Sequence, residues 1–379
     1  MLDSVGRSFR PFTDDWGFDI IGDALEDAAA QALPLREQGL EPAIIAIPRL
    51  EGGFERMLQP DASMTLRFDR PVGTIQVASQ LQFTVKADTS RQIFRLMGGN
   101  YAQGQTYPLQ VRWRAITGEP LPPLNLQVTT PPPLSVVANT EGLSNLGLVL
   151  PLRLTFSEPL TEREKTVERV SVKTGDGQDV SGRWQWIGKR RLQFTPRPAW
   201  PASATIQVRV DGAALRTQQG GRMEQPFLNS FTTGSDRRIF VYLDTQRVAA
   251  VENGQVVQTF KVSTGKAKTP TAEGNFYIYD RYLHRTMRSR GVPKGHPAYY
   301  LVEDVPYTQF FNGDMAFHGA FWHNGFGRPA SHGCVNMATR EMNKRWPHVA
   351  EDAGWLYKWA SLGVPVTVLK NTPVEMAVK

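Results

Sequence analysis

The chain has 379 residues, about 2.5 domains at roughly 150 residues each, so one core does not hold it all. Its 41% hydrophobic and 21% charged residues are an ordinary globular mix, which excludes a disordered or collagen-like chain. The net charge of +7 is not concentrated in any basic run, so nucleic acid is not indicated as a partner; a single cysteine forbids an intrachain disulfide; and no apolar run approaches the ~18–20 residues of a membrane helix.

The opening MLDSVGRSFRPF lacks the apolar core of a signal peptide. Cytosolic residence, or a missing leader or membrane anchor, stays open until the chemistry is read. Residues 1–40 read as a connector, partly helical, with an Ala-rich helix over 23–33 that ends before Pro34. From about 41 the texture turns β, and the 33 glycines and 27 prolines favour short strands and turns. Residues 63–72 (SMTLRFDRPV) alternate apolar and polar and turn at Pro71. Residues 152–160 (LRLTFSEPL) do the same and turn at Pro159. Phe68 and Phe156 stand 88 positions apart, as do the two prolines. A later alternating strand in each unit, 109–113 and 206–210, and a closing threonine pair (Thr129 and Thr130, Thr232 and Thr233) repeat the pattern. A period near 90 residues with many short strands predicts two consecutive β-sandwich modules, 41–130 and 131–235. Pro131, Pro132 and Pro133 form a stiff extended linker between them. Trp184, Trp186 and Trp200 are expected as core anchors rather than sugar platforms.

A third region begins near 236. Strands are expected at 239–243, 247–251, 257–262, 275–279 and 364–369, with a hairpin turn at Asn253 and Gly254. The spacing of Val349, Ala353, Leu356 and Ala360 predicts a helix over 349–360, entered after Pro347 and left at Gly363.

Three of the six histidines and the only cysteine lie in residues 317–336, FHGAFWHNGFGRPASHGCVN. Gly319, Gly325, Gly327, Pro329 and Gly333 break any regular element there, as in a shaped loop on a rigid sheet. A thiol at neutral pH is mostly protonated, and thiolate is the nucleophile. His318, 16 positions before Cys334, can take that proton and leave a thiolate–imidazolium pair. Gly333 lets the backbone approach a reacting carbonyl. The amides of His332, Gly333 and Cys334 then face the oxygen that becomes negative, each donor worth ~3 kcal/mol. The Gly319 carbonyl is the candidate acceptor orienting the other imidazole nitrogen, since no carboxylate stands close in sequence. His332 is otherwise a loop-shaping residue, His323 is left between a supporting partner and a bystander, and His284, His296 and His348 are given no catalytic part. His318, His323, His332 and Cys334 are also four ligand types within 17 positions, so zinc remains a rival, although HExxH spacing and a neighbouring carboxylate are missing.

A His, then Ser-His-Gly-Cys-Val-Asn with its cysteine sixteen positions later, resembles the signature of L,D-transpeptidases with the YkuD catalytic domain. Residues 244–248 (DTQRV), 263–266 (STGK) and 269–274 (TPTAEG) resemble the opening of that domain. The likeness covers 236–371, leaving a tail at 372–379. LTFSEPL and the closing SFTTG also resemble bacterial immunoglobulin-like modules of envelope proteins. The fold expected is mainly β: two immunoglobulin-like β-sandwich modules, then a YkuD-type β-sandwich catalytic domain with a short C-terminal helix.

The resemblance implies a peptidoglycan substrate. Such enzymes cut the bond between residue three and the terminal D-alanine of a tetrapeptide stem, hold the acyl group as a thioester, and pass it to a side-chain amine of another stem, giving a 3→3 crosslink. Carried over, Cys334 is the nucleophile and His318 the base and later the acid, with Gly319 beside it. His332, Gly333 and Cys334 supply the oxyanion amides. Asn336, Trp322, Ser331 and the 307–313 segment, from Tyr307 to Gly313, would line the groove. Residues 283–316 would form a lid with Tyr299, Tyr300 and Pro306 as walls. Many members have Arg at the position of Asn336, and some have Ser at that of Gly319. The resemblance further implies capture by carbapenems at Cys334, a part in cell-wall organisation and cell shape, and a location in the envelope or periplasm. No cofactor or metal is expected, and a membrane is reached only through a missing leader or anchor. The modules are expected to hold the catalytic domain away from that anchor. An L,D-carboxypeptidase using water as acceptor, and a non-catalytic cell-wall-binding protein, are the alternatives.

Overall fold

In a computed structural model, the structure describes residues 47–99, 101–289, 291–296 and 299–373. The helix expected over 23–33 lies outside them. Alternation decides the first two units. In β2 (Ser63–Arg67) Met64 and Leu66 point inward, and in β9 (Leu152–Phe156) Leu152, Leu154 and Phe156 do so. The first unit is β1 (Glu55–Met57), β2, β3 (Val72–Ser79), β4 (Phe83–Ala87), β5 (Ile93–Gly98), β6 (Thr106–Ala115) and β7 (Pro120–Thr129). The second is β8 (Val136–Ala138), β9, β10 (Val170–Thr174), β11 (Gly182–Ile187), β12 (Arg191–Pro196), β13 (Thr205–Val210) and β14 (Phe227–Thr232).

Each unit pairs two sheets, and the strand order repeats. The order β3-β6-β7 in the first matches β10-β13-β14 in the second, and β2-β5-β4 matches β9-β12-β11. The extra strands differ: β1 extends the first unit beside β7, and β8 the second beside β9. The closing threonines repeat in detail. Thr130 Oγ1 donates to Ala102 O at 2.8 Å and accepts from Gln105 N at 2.9 Å. Thr233 Oγ1 donates to Pro201 O at 2.6 Å and accepts from Ala204 N at 2.9 Å. Phe68 and Phe156 are both buried core residues. Trp200 is buried, with its indole N–H on Leu150 O at 2.7 Å, while the half-buried Trp184 and Trp186 lean on Phe194 and Phe156.

The proline linker is a packed seam. Pro131 O accepts from Gly104 N at 2.9 Å, and Leu134 N donates to Arg222 O at 3.1 Å. Gln103 clasps the backbone of Arg222 with both ends of its amide, at 3.1 and 2.7 Å.

The third unit has two sheets around one apolar cluster. The first is ordered β17-β16-β15-β23-β18, from β15 (Arg237–Tyr242), β16 (Arg247–Glu252), β17 (Gln255–Lys261), β18 (Gly274–Tyr277) and β23 (Pro365–Leu369). The second is ordered β19-β20-β21-β22, from β19 (Asp280–Arg288), β20 (Leu301–Asn312), β21 (Met315–Gly319) and β22 (Val335–Met337). Asn253 and Gly254 both have positive φ, 51° and 78°, as a type I′ hairpin turn requires. The helix spans Asp352–Trp359 and buries Ala353, Gly354 and Leu356. It starts later than its apolar spacing suggests because Trp346 to Val349 close a turn of their own, Val349 N donating to Trp346 O at 3.3 Å. The second unit docks directly on the third: Gly147 N donates to Leu362 O at 2.7 Å and Val149 N to Gly363 O at 3.1 Å.

Candidate active site

β21 and β22 run parallel, with His318 paired to Asn336 and Phe317 to Val335. Partners in a parallel ladder share a face, so His318, Asn336 and Cys334, two residues before Asn336, face the same side. A strand spacing of about 4.8 Å and a two-residue rise of about 6.6 Å put the Cα atoms of His318 and Cys334 on the order of 8 Å apart, within reach of their side chains.

His318 is 3% exposed. Its Nδ1 lies 3.1 Å from Gly319 O; a carbonyl only accepts, so Nδ1 carries the proton and Nε2 keeps its lone pair. Burial pulls the imidazole down to about 4, with the Gly319 carbonyl acting against it and His323 adding to it. The half-buried Cys334 is pushed up to about 11, chiefly by burial, against a hydrogen bond with the Ala316 backbone, with Asp314 adding to the rise. Its Sγ donates to Asp314 O at 3.6 Å. The resting pair is therefore neutral thiol and neutral imidazole, not the thiolate–imidazolium expected from sequence, because burial disfavours both charged forms.

Gly319 leaves no room for a side chain. A Cβ there would lie 2.7 Å from Thr339 Cγ2 and 2.9 Å from Pro306 Cγ. Pro306 is thus buried packing behind the imidazole rather than a groove wall.

The loop before Cys334 rests on a cradle whose function sequence reading did not see. Ser263 and Asn336 exchange backbone hydrogen bonds at 3.0 and 2.9 Å, and Thr264 O accepts from Ala330 N and Ser331 N, both at 3.0 Å. Thr271 Oγ1 accepts from Gly265 N at 2.9 Å and donates to Gly333 O at 2.8 Å. Gln246 fixes Thr264 from below through both ends of its amide, at 2.9 and 2.7 Å. The residues of this cradle lie in the STGK and TPTAEG stretches, whose spacing alone does not disclose these bonds.

Several expected site residues take other parts. Ser331 is buried; its hydroxyl donates to Cys334 O at 2.5 Å and accepts from Gly333 N at 3.0 Å. Gly333 N–H is thereby occupied, whereas the amides of His332 and Cys334 have no hydrogen bond among the described residues. Gly333 is required by its φ of +121° rather than by close approach, since a Cβ would meet nothing nearer than 3.6 Å. Asn336 is also buried, its amide 3.0 Å from His323 Nε2. The facing atom is Asn336 Nδ2, and an amide nitrogen only donates, so His323 Nε2 accepts; the contact of Gly325 N with Nδ1 is longer, at 3.3 Å. Asn336 and Ser331 therefore brace the site from behind instead of lining it.

Tyr307 does not reach the groove. Its hydroxyl bonds Glu341, which with burial holds the phenol well above its ordinary range, and its ring meets Tyr357 of the helix at 5.7 Å. Gly313, at the other end of that segment, does sit by the site: it occupies the β20–β21 turn beside Asp314, with φ +52°, and its carbonyl accepts from Tyr279. Trp322 is 39% exposed with its ring 5.6 Å from that of His318, placed to wall the groove. The lid expected over 283–316 is mostly the β19–β20 hairpin running into β21. Besides Gly313 and Asp314, Tyr300 immediately before β20 comes to the site, stacking on His332 at 5.4 Å, its phenol raised by burial and by the nearness of Cys334 and Asp314. Among the described residues, no three His, Cys, Asp or Glu side chains converge as a metal site would need.

Residues 236–368 match the family model described as the L,D-transpeptidase catalytic domain, and residues 99–215 match that of a bacterial Ig domain. The third unit is thus a domain of the L,D-transpeptidase family, preceded by immunoglobulin-like architecture. The Ig match runs from just before β6 to just past β13, across the proline seam. The chain is 26% identical over 249 residues to L,D-transpeptidase 2 of Mycobacterium tuberculosis, covering 64% of this chain and 60% of that protein. It therefore spans less than two thirds of that relative. It is 24% identical over 247 residues to the probable L,D-transpeptidase 3 of the same species, covering 59% of this chain and 82% of that protein. A solved L,D-transpeptidase from Mycobacterium smegmatis superposes with a TM-score of 0.49 at 25% identity, over 62% of this chain and 99% of that one.

Proposed function

We propose that this chain is a cysteine-dependent L,D-transpeptidase that forms 3→3 crosslinks in peptidoglycan at the cell envelope, with Cys334 as nucleophile and His318 as base. The observation that carries the proposal is the pair itself: a thiol and a proton-accepting imidazole on one face of adjacent parallel strands, the imidazole held by Gly319 O. The family match of the third unit supports it.

The neutral resting pair sets the order of events. The carbonyl of stem residue three approaches Sγ, and the thiol leaves Asp314 O for Nε2 of His318. The S–C bond forms as Nε2 takes the proton, and the His332 and Cys334 amides receive the oxyanion. Collapse breaks the C–N bond to the terminal D-alanine, whose amine leaves with the proton from Nε2. The side-chain amine of a second stem then gives a proton to Nε2 and attacks the thioester. Sulfur leaves and is reprotonated, which restores the neutral pair. In the same reading the chain divides at 41–130, 131–235 and 236–371, supported by three separate apolar clusters.

Incubating the chain with a carbapenem, and separately with tetrapeptide stems, tests this by intact-protein mass spectrometry and product analysis. Expected are one drug mass added to the wild type, none to Cys334→Ala, and a crosslinked dimer from the stems. An unmodified wild type with no dimer overturns the proposal, and free tripeptide without dimer redirects it to hydrolysis.

A further inference from the structure

Behind the wall of the candidate site lies a second concavity, an open groove of about 600 Å³. It is lined by Lys261 at the end of β17, Phe326 from the loop after Trp322, and Arg345, Trp346, His348 and Asp352 from the segment leading into the helix. We propose that this groove is a glycan subsite, holding a sugar ring and neighbouring carboxylate of the same peptidoglycan strand whose stem peptide reacts at Cys334. The proposal rests on the transpeptidase reading for its substrate class.

The groove is braced rather than floppy. Buried Asn343 accepts from Trp346 N at 2.8 Å and donates to Thr339 O at 3.0 Å. Glu351 takes the Thr339 hydroxyl and the Arg340 amide, each at 2.9 Å. These bonds fix the backbone at Trp346 before any ligand arrives, which lowers the ordering cost of binding.

Its chemistry selects a sugar next to an acid. Trp346 and Phe326 offer flat apolar faces to the C–H face of a pyranose. The Arg345 guanidinium lies 4.8 Å over the Trp346 ring, which puts a cation in the groove and covers one face of that ring. Lys261 adds positive charge at the rim, while Asp352 is an acceptor for hydroxyls. The charge is suited to a carboxylate at close range.

Its place fits a sugar attached to the reacting peptide. The Phe326 ring packs on His323 at 4.8 Å, and His323 contacts Asn336, the strand partner of His318. One wall of side chains separates groove from site. The proposal requires the stem to reach from this groove to Cys334 within the roughly 10 Å that three extended residues span.

The test is isothermal titration of the full chain with a disaccharide-tetrapeptide and with the sugar-free tetrapeptide, for the wild type, Trp346→Ala and Lys261→Glu. The wild type should bind the disaccharide form on the order of tenfold tighter, the effect of one aromatic anchor. Trp346→Ala should abolish that advantage. Lys261→Glu should reduce it and flatten its salt dependence. The sugar-free peptide should bind the wild type and Trp346→Ala alike. Equal affinity of the wild type for both ligands, or an advantage that survives both substitutions, overturns the subsite. Carbapenem acylation of the same samples reports the catalytic reading separately. Adducts without a sugar advantage reject the groove alone, and a sugar advantage without adducts rejects the chemistry alone. Lys261→Glu, at an exposed position, keeps the test valid if Trp346→Ala does not fold.

Discussion

Cys334 should be a poor target for alkylating agents at neutral pH. With the thiol pushed up to about 11, on the order of 10⁻⁴ of it is thiolate at pH 7, against about 10⁻² for a cysteine at 9.0, so alkylation should run about 100-fold slower than for an unperturbed thiol. The imidazole does not rescue it. Moving the proton from a thiol near 11 to a ring near 4 costs about 10 kcal/mol at 1.36 kcal/mol per pH unit. Attraction between the resulting charges returns only about 4 kcal/mol at 4 Å and an effective dielectric constant near 20. The neutral pair wins. The assay is iodoacetamide labelling followed by intact mass from pH 6 to 11.5, unambiguous because the chain has one cysteine. The rate should climb about tenfold per pH unit until near 11, and His318→Ala should hardly move the curve. The same substitution should slow carbapenem acylation on the order of 10²–10⁴-fold, because the base acts only as the acyl carbonyl arrives. A rate plateau beginning near pH 6, with thiolate absorbance already present at pH 7, would refute the neutral resting state.

Two further outcomes follow from the same packing. Gly319→Ser should destabilise the fold by about 1–3 kcal/mol, since the new Cβ meets Thr339 and Pro306 inside 3 Å. A lowered Tm together with slowed acylation, both eased by adding Thr339→Ala, is expected by thermal melts and mass spectrometry; an unchanged Tm contradicts it. Acid stability should depend on two opposed groups. His318 is near 4 when folded and near 6.5 when unfolded, so the unfolded chain binds the proton first and stability falls by up to about 3 kcal/mol as pH drops through that window. Asp352 is raised to about 6 by burial and by Glu351, so its effect runs the other way between 3.8 and 6, with a smaller slope because it is only half-buried. Denaturant titrations should show a shallow wild-type profile from pH 4 to 6 and a steeper rise with pH in Asp352→Asn. A flat profile in that variant counts against the buried neutral imidazole.

What the sequence discloses depends on whether a property is local. The alternation around Phe68 and Phe156 is local, and it recovers core positions and the repeated strand order. The turn at Asn253 and Gly254 is local, and both residues take the left-handed φ their types suggest. The cluster of His318 and Cys334 is also local in sequence, and the two fall on adjoining parts of the β21–β22 pair. The roles of Ser331 and Asn336 were not legible, because each points away from the groove only once Thr264, Thr271 and His323 are brought beneath it. Tyr307 was misplaced for a similar reason: Glu341 and the helix draw it to the far side, and neither is near it in sequence. The helix start is also non-local, since the turn from Trp346 to Val349 competes with Val349 for the first helical positions.

The same distinction bears on what the two β modules do. A flexible string of modules needs seams that can open, and neither seam described here is of that kind. The first is closed by the Gln103 amide on both backbone atoms of Arg222. The second is set by glycine: Gly363 has φ +85°, and a Cβ on it would stand 2.5 Å from Leu150 Cβ, so the two backbones meet with no side chain between them. Residue 363 also donates to Ile278 O at 2.7 Å, and Val364 O accepts from Ile278 N at 3.0 Å. The seam thus lies at the entry to β23, which lies between β15 and β18 in the sheet. Leverage on the second module is carried into the middle of the catalytic domain's sheet rather than absorbed in a linker. The second module is therefore packed against the third unit's sheet backbone to backbone, a property that a count of residues in a proline linker does not convey.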